Sequence, residues 1–486
     1  MKRNLILIVI CAIIAAVFFF DQYSTEKKEE REEKEKDLFS ISRDEVEEIT
    51  IQKKEETFKA VKEGENWNLA LPFKTAGDKS NWDSVTSTFA DGKRQRVVVE
   101  NAEKLDPFGL DEPSVQVTLA GVRGVTASTI LFGDKTPTSG KYYAMIQGTS
   151  DVLTVMSSMF TTVDKSLFDM RDKNIVTIET EKVQQMEIAG AGLKATLQRK
   201  GEDNWIITEP IPAKADQSKI RDLINKVRNS RIKQFIDENP ESLEAYGLVE
   251  PATKLTFWGG DIGNEAGWAA QSLLIGSTSA NDQWYARRES LKNVFAISLS
   301  DFKDIPNQLS DLRFKKLTSV SSWEVKQAKV ISAGETILSV SKSGGDWLMV
   351  EPKEAQADYS SVSEMLRGII DLEIADFVAG ATQDYDLDSP SVQFMFETDK
   401  SSETIELAGP IMKDDKVYYF GVRKEPLEIF ALKAEDVDNI VEKAEKMILE
   451  EDEEEEEPTP LILQEEAHTA TDPEEGAAAP EEKKDQ

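Results

Sequence analysis

Cysteine and histidine are almost missing from this chain of 486 residues, which carries one of each, Cys11 and His468. Cys11 falls in an apolar run near the start and His468 in an acidic stretch near the end, so neither is expected to reach a folded site. Thiol nucleophiles, disulfides, His-assisted serine catalysis and the common His or Cys zinc sites all need residues that the body lacks. The lack of disulfides leaves the compartment open, since many exported proteins have none. Positive charge is also scarce: 58 Lys and Arg face 91 Asp and Glu, for a formal charge of −33. Such a surface repels a phosphate backbone, and no basic stripe interleaved with aromatics stands out, so nucleic acid is not an expected partner.

What is present is order. Trp, four residues, Pro, five residues, Asp occurs three times, as Trp67/Pro72/Asp78, Trp205/Pro210/Asp216 and Trp347/Pro352/Asp358. The copies lie 138 and 142 residues apart, the size of a small domain each, which marks a tandem triplication. Further landmarks follow in the same order: Phe108-Gly109-Leu110, Tyr246-Gly247-Leu248 and Tyr385-Asp386-Leu387, each with a Pro three residues after the Leu. Gly133, Gly276 and Gly409 then close an aliphatic run, and Tyr143, Tyr285 and Tyr419 are read as the next landmark. The first two copies end alike, in Leu-Phe-Asp-Met-Arg (167–171) and Leu-Ser-Asp-Leu-Arg (309–313), whereas the third ends in a charged, helix-like segment.

Leu5 to Phe20 is sixteen residues without a charge, preceded by Lys2 and Arg3. It reads as an uncleaved membrane anchor, because bulky Val17 to Phe20 stand where signal-peptide cleavage calls for small residues. The two basic residues predict a cytoplasmic N-terminus, with the remainder outside the inner membrane, periplasmic or extracellular. Residues 26–37 are nearly all charged and read as a solvated stalk; Glu30/Lys34 and Glu32/Lys36 have helical i, i+4 spacing. Residues 450–486 hold 16 acidic and 2 basic side chains and read as a disordered, solvating tail. The expected organisation is therefore a cytoplasmic start (1–4), a transmembrane anchor (5–20), a stalk (21–37), three repeat domains (38–174, 175–316 and 317–448) and the tail (449–486).

Within the second copy, Val183 to Ile188, Leu193 to Gln198 and Trp205 to Thr208 are β-prone runs separated by turn residues, which predicts a three-stranded antiparallel meander. The prolines that follow cannot donate to a ladder, which explains why each strand ends there. Asp78, Asp216 and Asp358 then open helical periodicities and are read as N-caps, in preference to a catalytic or metal-binding set. Gly109, Gly247 and Asp386 are expected to end helical turns in the left-handed conformation. A second group of strands follows, with a closing helix near residues 157–170. Each copy thus reads as α+β with mainly antiparallel pairing.

Apparent ligand motifs fail on inspection. Gly190-Ala191-Gly192 lacks the helix that a dinucleotide fingerprint requires and reads as a hairpin. Gly133 to Lys141 fails the spacing and the Ser/Thr requirement of a phosphate loop. Asp384 to Asp388 begins like a calcium loop, but Ser389 replaces the needed Gly and Met395 the bidentate Glu. No catalytic residue, cofactor or metal site is expected. Trp67, Trp205 and Trp347 are read as core, with carbohydrate stacking as the rival. Trp258, Trp268 and Trp284 crowd the second copy and are the candidate partner or glycan contacts.

The anchor, the W-x4-P and aromatic-Gly-Leu-x-x-Pro landmarks and the repeated α+β unit together resemble the bacterial family called domain of unknown function 4340, over roughly residues 38–448. Members of that family look like accessory components of ABC-type transport systems related to gliding motility. The resemblance implies a similar role here, with a transporter permease or auxiliary subunit as partner, and it supplies no catalytic residue to carry over. The expectation is a non-enzymatic, membrane-anchored extracytoplasmic scaffold. Envelope polysaccharide binding is the first alternative. A carboxylate-dependent hydrolase, which requires two acids facing each other across a cleft, is the second.

Overall fold

A computed structural model describes residue 22 and residues 37–455 with short gaps at 40, 122–125, 138–139, 191, 202–203, 261–266 and 280. The anchor at 5–20, nearly all of the stalk, Cys11 and His468 lie outside the described residues. Among the described residues no helix is long and apolar enough to cross a membrane.

Three nine-stranded sheets follow one another along the chain. The first is built from β1 (Val46–Lys53), β2 (Thr57–Glu63), β3 (Asn66–Leu71), β4 (Thr75–Ala76), β5 (Arg96–Val99), β6 (Val115–Gly121), β7 (Thr126–Lys135), β8 (Lys141–Ile146) and β9 (Val152–Met156). Its strands lie in the order β4-β3-β2-β1-β6-β7-β8-β9-β5, and every pair is antiparallel. The second repeats this order with β10 (Val183–Gly190), β11 (Leu193–Arg199), β12 (Trp205–Glu209), β13 (Ala213–Lys214), β14 (Gln234–Asp237), β15 (Thr253–Gly259), β16 (Ala269–Thr278), β17 (Gln283–Arg288) and β18 (Val294–Ser298). The third does so with β19 (Val325–Ser332), β20 (Glu335–Ser343), β21 (Asp346–Glu351), β22 (Ala355–Ala357), β23 (Asp376–Val378), β24 (Val392–Thr398), β25 (Ser402–Lys413), β26 (Lys416–Lys424) and β27 (Leu427–Lys433). The chain is thus three tandem α+β domains with antiparallel sheets. By internal contacts it divides into two units: the first sheet and all of the second but β13 lie in one that runs to Ile211 and resumes over Ala215–Leu312, and β13 and the third sheet lie in one made of Pro212–Lys214 with the chain from Arg313 onward.

The two strand groups of each repeat form one sheet, not two, because the first strand of the meander pairs with the first strand of the second group. Ile49 faces Leu119 and Ile51 faces Val117; Ile188 faces Leu255 and Val330 faces Phe394, all of them buried. Helices α1 (Lys79–Ala90), α4 (Gln217–Asn229) and α7 (Tyr359–Ile370) supply the second layer. In α4 the stripe Ile220, Leu223, Ile224, Val227 is buried, as is Val362, Met365, Leu366, Ile369 in α7. Each such side chain contributes on the order of 1.5–3 kcal/mol of burial. The cap assignments hold: Asp78, Asp216 and Asp358 accept from the N–H of Asn81, Lys219 and Ser361 respectively.

Trp67, Trp205 and Trp347 are core residues, at 1%, 5% and 2% exposure. Pro72, Pro210 and Pro352 follow cis peptide bonds, each directly after the last residue of the strand it ends. Gly109, Gly247 and Asp386 cap short 3-10 turns with φ of 65°, 64° and 55°.

Four expectations need correction. The closing element at 157–170 is two short helices, α2 (Ser157–Val163) and α3 (Leu167–Met170), with α5 (Leu299–Phe302) and α6 (Leu309–Leu312) as their counterparts in the second repeat. The residue that follows the partner of the sixth strand's first position is Gly133 after Phe132, Gly276 after Ile275, and Ala408 after Leu407, so Gly409 stands one place late. The aromatic pair of each repeat is Phe108 with Tyr143, Tyr246 with Tyr285, and Tyr385 with Phe420, not Tyr419; the slip follows a bulge between Ala408 and Ile411. Finally, α8 (Ala434–Glu455) continues seven residues past the boundary expected at 448.

Candidate functional site

Trp258, Trp268 and Trp284 are half-buried and do not form one surface. Trp258 stands across from Ala270 on β16 and Trp284 across from Thr278. Eight residues of strand, about 26 Å, lie between those two partners. Trp268 lies near Trp258: a Cβ added to Gly260 would fall 2.6 Å from its Cδ1. The Nε1 of Trp284 is buried without an acceptor among the described residues.

Among the described residues, two of the clefts bring lysines and carboxylates together. One, of about 580 Å³, lies between the end of α7 and α8, with Lys315, Lys433 and Lys443 interspersed with Asp371, Glu373 and Asp436. The other, of about 460 Å³, lies beside α4 and mixes Lys219, Lys226 and Lys303 with Asp222, Asp304 and Asp311. Neither concentrates one charge, and among the described residues no group of three or more His, Cys, Asp or Glu is placed to hold a metal ion.

The densest buried polar chemistry lies where the chain passes from one repeat to the next. In the first unit, Arg171 ends α3 and sits on the ring of Phe235, 3.4 Å from its centroid, with Phe73 at 5.0 Å on another side. Its Nη2 donates to Glu238 Oε2 at 3.0 Å and its Nη1 donates to Oε1. The linker that follows is gripped by Arg288 of β17, whose Nε donates to Ile175 O at 3.1 Å and whose Nη2 donates to Asn174 O and, at 3.3 Å, to Asp172.

The second unit repeats the device. Arg313 lies 3.8 Å from the ring centroid of Phe377. Its Nε and Nη2 meet Glu428 Oε1 at 2.9 and 2.7 Å, and the Glu428 side chain is 0% exposed. Arg423 of β26 holds the linker by donating to Phe314 O at 2.8 Å and to Lys316 O, with Glu428 Oε2 at 3.6 Å. The backbone N–H of Lys214 donates to the same carboxylate at 3.2 Å. Burial, and then the nearby Arg423 charge, push the Lys214 ammonium below its ordinary range. Such networks stabilise most when every member is partnered, because an unpaired buried charge is expensive; in the first, Arg171 Nε is buried without an acceptor among the described residues. Each junction thus combines an arginine stacked on a phenylalanine, a carboxylate that receives it, and a second arginine clamping linker carbonyls. The first repeat has Val97 where Phe235 and Phe377 stand, and Ile146 where Arg288 and Arg423 stand.

The closing motif Leu-x-Asp-Leu/Met-Arg is visible in the sequence, but the role of its arginine is not. The signal was available: Arg171 and Phe235, like Arg313 and Phe377, are both 64 residues apart. The clamping arginines, Arg288 and Arg423, sit on strands without a surrounding motif and are revealed only by pairing register.

No curated protein matches the sequence. The family described as "Domain of unknown function (DUF4340)" matches over residues 67–236 and again over 205–390. Both matches begin at a landmark tryptophan, Trp67 and Trp205, and run through the junction into the next repeat. Arg171 and Phe235 lie in the first match, and Arg313 and Phe377 in the second. The unit that the family shares therefore spans a junction, and this chain belongs to the family described as Domain of unknown function (DUF4340).

Proposed function

We propose that this chain is a non-enzymatic scaffold, anchored in the cytoplasmic membrane by residues 5–20 with its repeats on the outer side, and accessory to an ABC-type transport system. The reading is supported by the way recurring residues are used. The tryptophans fill cores, the aspartates cap helices, and Arg171 seats the end of the first repeat on the second. The sequence that recurs three times thus encodes shape, as a binding platform requires. The partner class, a membrane ATPase with its permease, comes from the family resemblance. Affinity purification of the chain from native membranes tests it: co-purification of an ATPase and permease is the expected result, and recovery of the chain without either would remove this reading.

Envelope polysaccharide binding is a second reading, favoured only by Trp258 and Trp268 lying near one end of the second sheet. Glycan pulldown lost on Trp258→Ala would support it, and no pulldown by the unaltered chain would dispose of it.

A further inference from the structure

We infer that β22, the outer edge of the third sheet, is a docking site for an extended peptide segment of a partner protein, which adds to it as a further strand. The inference sharpens the scaffold reading by giving the chemistry through which a partner is held.

The template for such a site is present at the equivalent edges. At the first, beside β4, the N–H of Asp172 donates to Ala76 O at 2.9 Å and the N–H of Asp78 donates to Met170 O at 3.0 Å. At the second, the N–H of Phe314 donates to Lys214 O and the N–H of Asp216 to Leu312 O, both at 2.8 Å. Each edge thus carries a short extended segment, supplied by the linker to the next repeat. In the third repeat Gln356 holds the place of Ala76 and Lys214, and Asp358 that of Asp78 and Asp216. There the chain continues into α8 instead of a linker. Among the described residues no main-chain group pairs with Gln356 O or with the Asp358 N–H on the outer side. Asp358 is correspondingly exposed, while Asp78 and Asp216 are half-buried. An edge with unmet donors and acceptors is a template for strand addition.

Side chains state what fits. In the first repeat Lys173 reaches the capping aspartate, Nζ to Asp78 Oδ2 at 3.0 Å, and Arg171 passes over Phe73. Asp358 has no lysine on it among the described residues. A peptide suited to this edge therefore carries a lysine placed as Lys173 is in the first repeat, to meet Asp358.

The test uses the full chain in detergent and, as probe, a synthetic peptide of residues 307–318, which presents Lys315 at that place. Amide hydrogen exchange is read at Asp78, Asp216 and Asp358. In the free chain the Asp358 amide is expected to exchange at least about tenfold faster than the other two, and added peptide is expected to slow it. Asp358→Pro suits the φ of −61° at that position and removes the donor, so it should abolish peptide binding. Asp358→Asn, which keeps the donor and the cap, should only weaken it. Unchanged exchange across β24–β27 establishes that both variants fold. An Asp358 amide already as protected as Asp78 would show that the chain's own tail or a second copy covers the edge, and would overturn the inference. So would peptide binding that survives Asp358→Pro, or no slowing at millimolar peptide. Any of these outcomes alongside intact co-purification of a transporter would leave the scaffold reading standing.

Discussion

The guanidinium of Arg171 lies 3.4 Å from the ring centroid of Phe235, so the last residue of one repeat is seated on the edge strand of the next. A planar cation over an aromatic face is favoured by the ring quadrupole, and the same plane leaves its N–H groups free to fork onto Glu238. Lysine can supply the charge but neither the plane nor the fork. Arg171→Lys is therefore expected to cost about 2 kcal/mol, the upper range for a desolvated cation–π contact. The loss should appear as faster amide exchange in the linker at 172–175, with the interiors of both sheets unaffected.

Glu428 is fully buried and receives Arg313, Arg423 and the Lys214 N–H. Glu428→Ala leaves two buried guanidinium groups without their carboxylate and is expected to destabilise the third repeat by about 3–5 kcal/mol, read as a lowered urea midpoint. Lys316 and Asp371 make a 2.9 Å pair with side chains 50% and 61% exposed. Asp371→Ala should move the midpoint little, since exposed pairs are screened by water. Equal effects of the two substitutions would refute the assignment of the buried cluster as the principal lock.

A Cβ on Gly276 would fall 2.1 Å from Tyr246 O, and one on Gly133 would fall 2.1 Å from Phe108 O, whereas the third repeat carries Ala408 at that position. Gly276→Ala should cost toward the top of the overpacking range, about 3 kcal/mol. Ala408→Gly should be mild, because that repeat already accommodates the methyl group. Thermal denaturation of the two variants checks the asymmetry.

Burial, and then the hydrogen bond its hydroxyl donates to Asp438 at 2.8 Å, push the Tyr419 phenol up to about 12. An unfolded tyrosine titrates near 10. The folded value is the higher, so the stabilisation is complete below about pH 10 and is lost as pH rises toward 12. Tyr419→Phe should flatten the alkaline limb of the stability curve of the third repeat. Ultraviolet titration that shows every tyrosine ionising together near pH 10 would contradict this.

Much of the fold is legible in the sequence because local chemistry decides it. A tryptophan at the start of a strand, a proline where the ladder must stop and an aspartate at a helix start each act within a few residues, and all nine of these landmarks do what their residue types predict. What was not legible depends on long-range register. The merging of two strand groups into one sheet is fixed by pairs such as Ile49 with Leu119, 70 residues apart. The third copy's aromatic partner, Phe420, is displaced from the expected Tyr419 by a bulge that leaves no mark on hydrophobic pattern. The tryptophans of the second copy depend on register in the same way: Trp258 and Trp284 are close in sequence, but their strand positions separate them.

The substitution of α8 for a linker bears on how such arrays change length over generations. A gene duplication appended after residue 448 would deliver a newcomer with no stacked arginine to rest on, because the chain there is helical where the other copies supply Arg171 and Arg313. One placed ahead of the first repeat would find Val97 and Ile146 in place of the phenylalanine and the clamp. Insertion in the interior meets both halves of the joint ready made, so recombination is expected to lengthen or shorten these proteins from the middle, with the two outermost copies carried along as fixed ends.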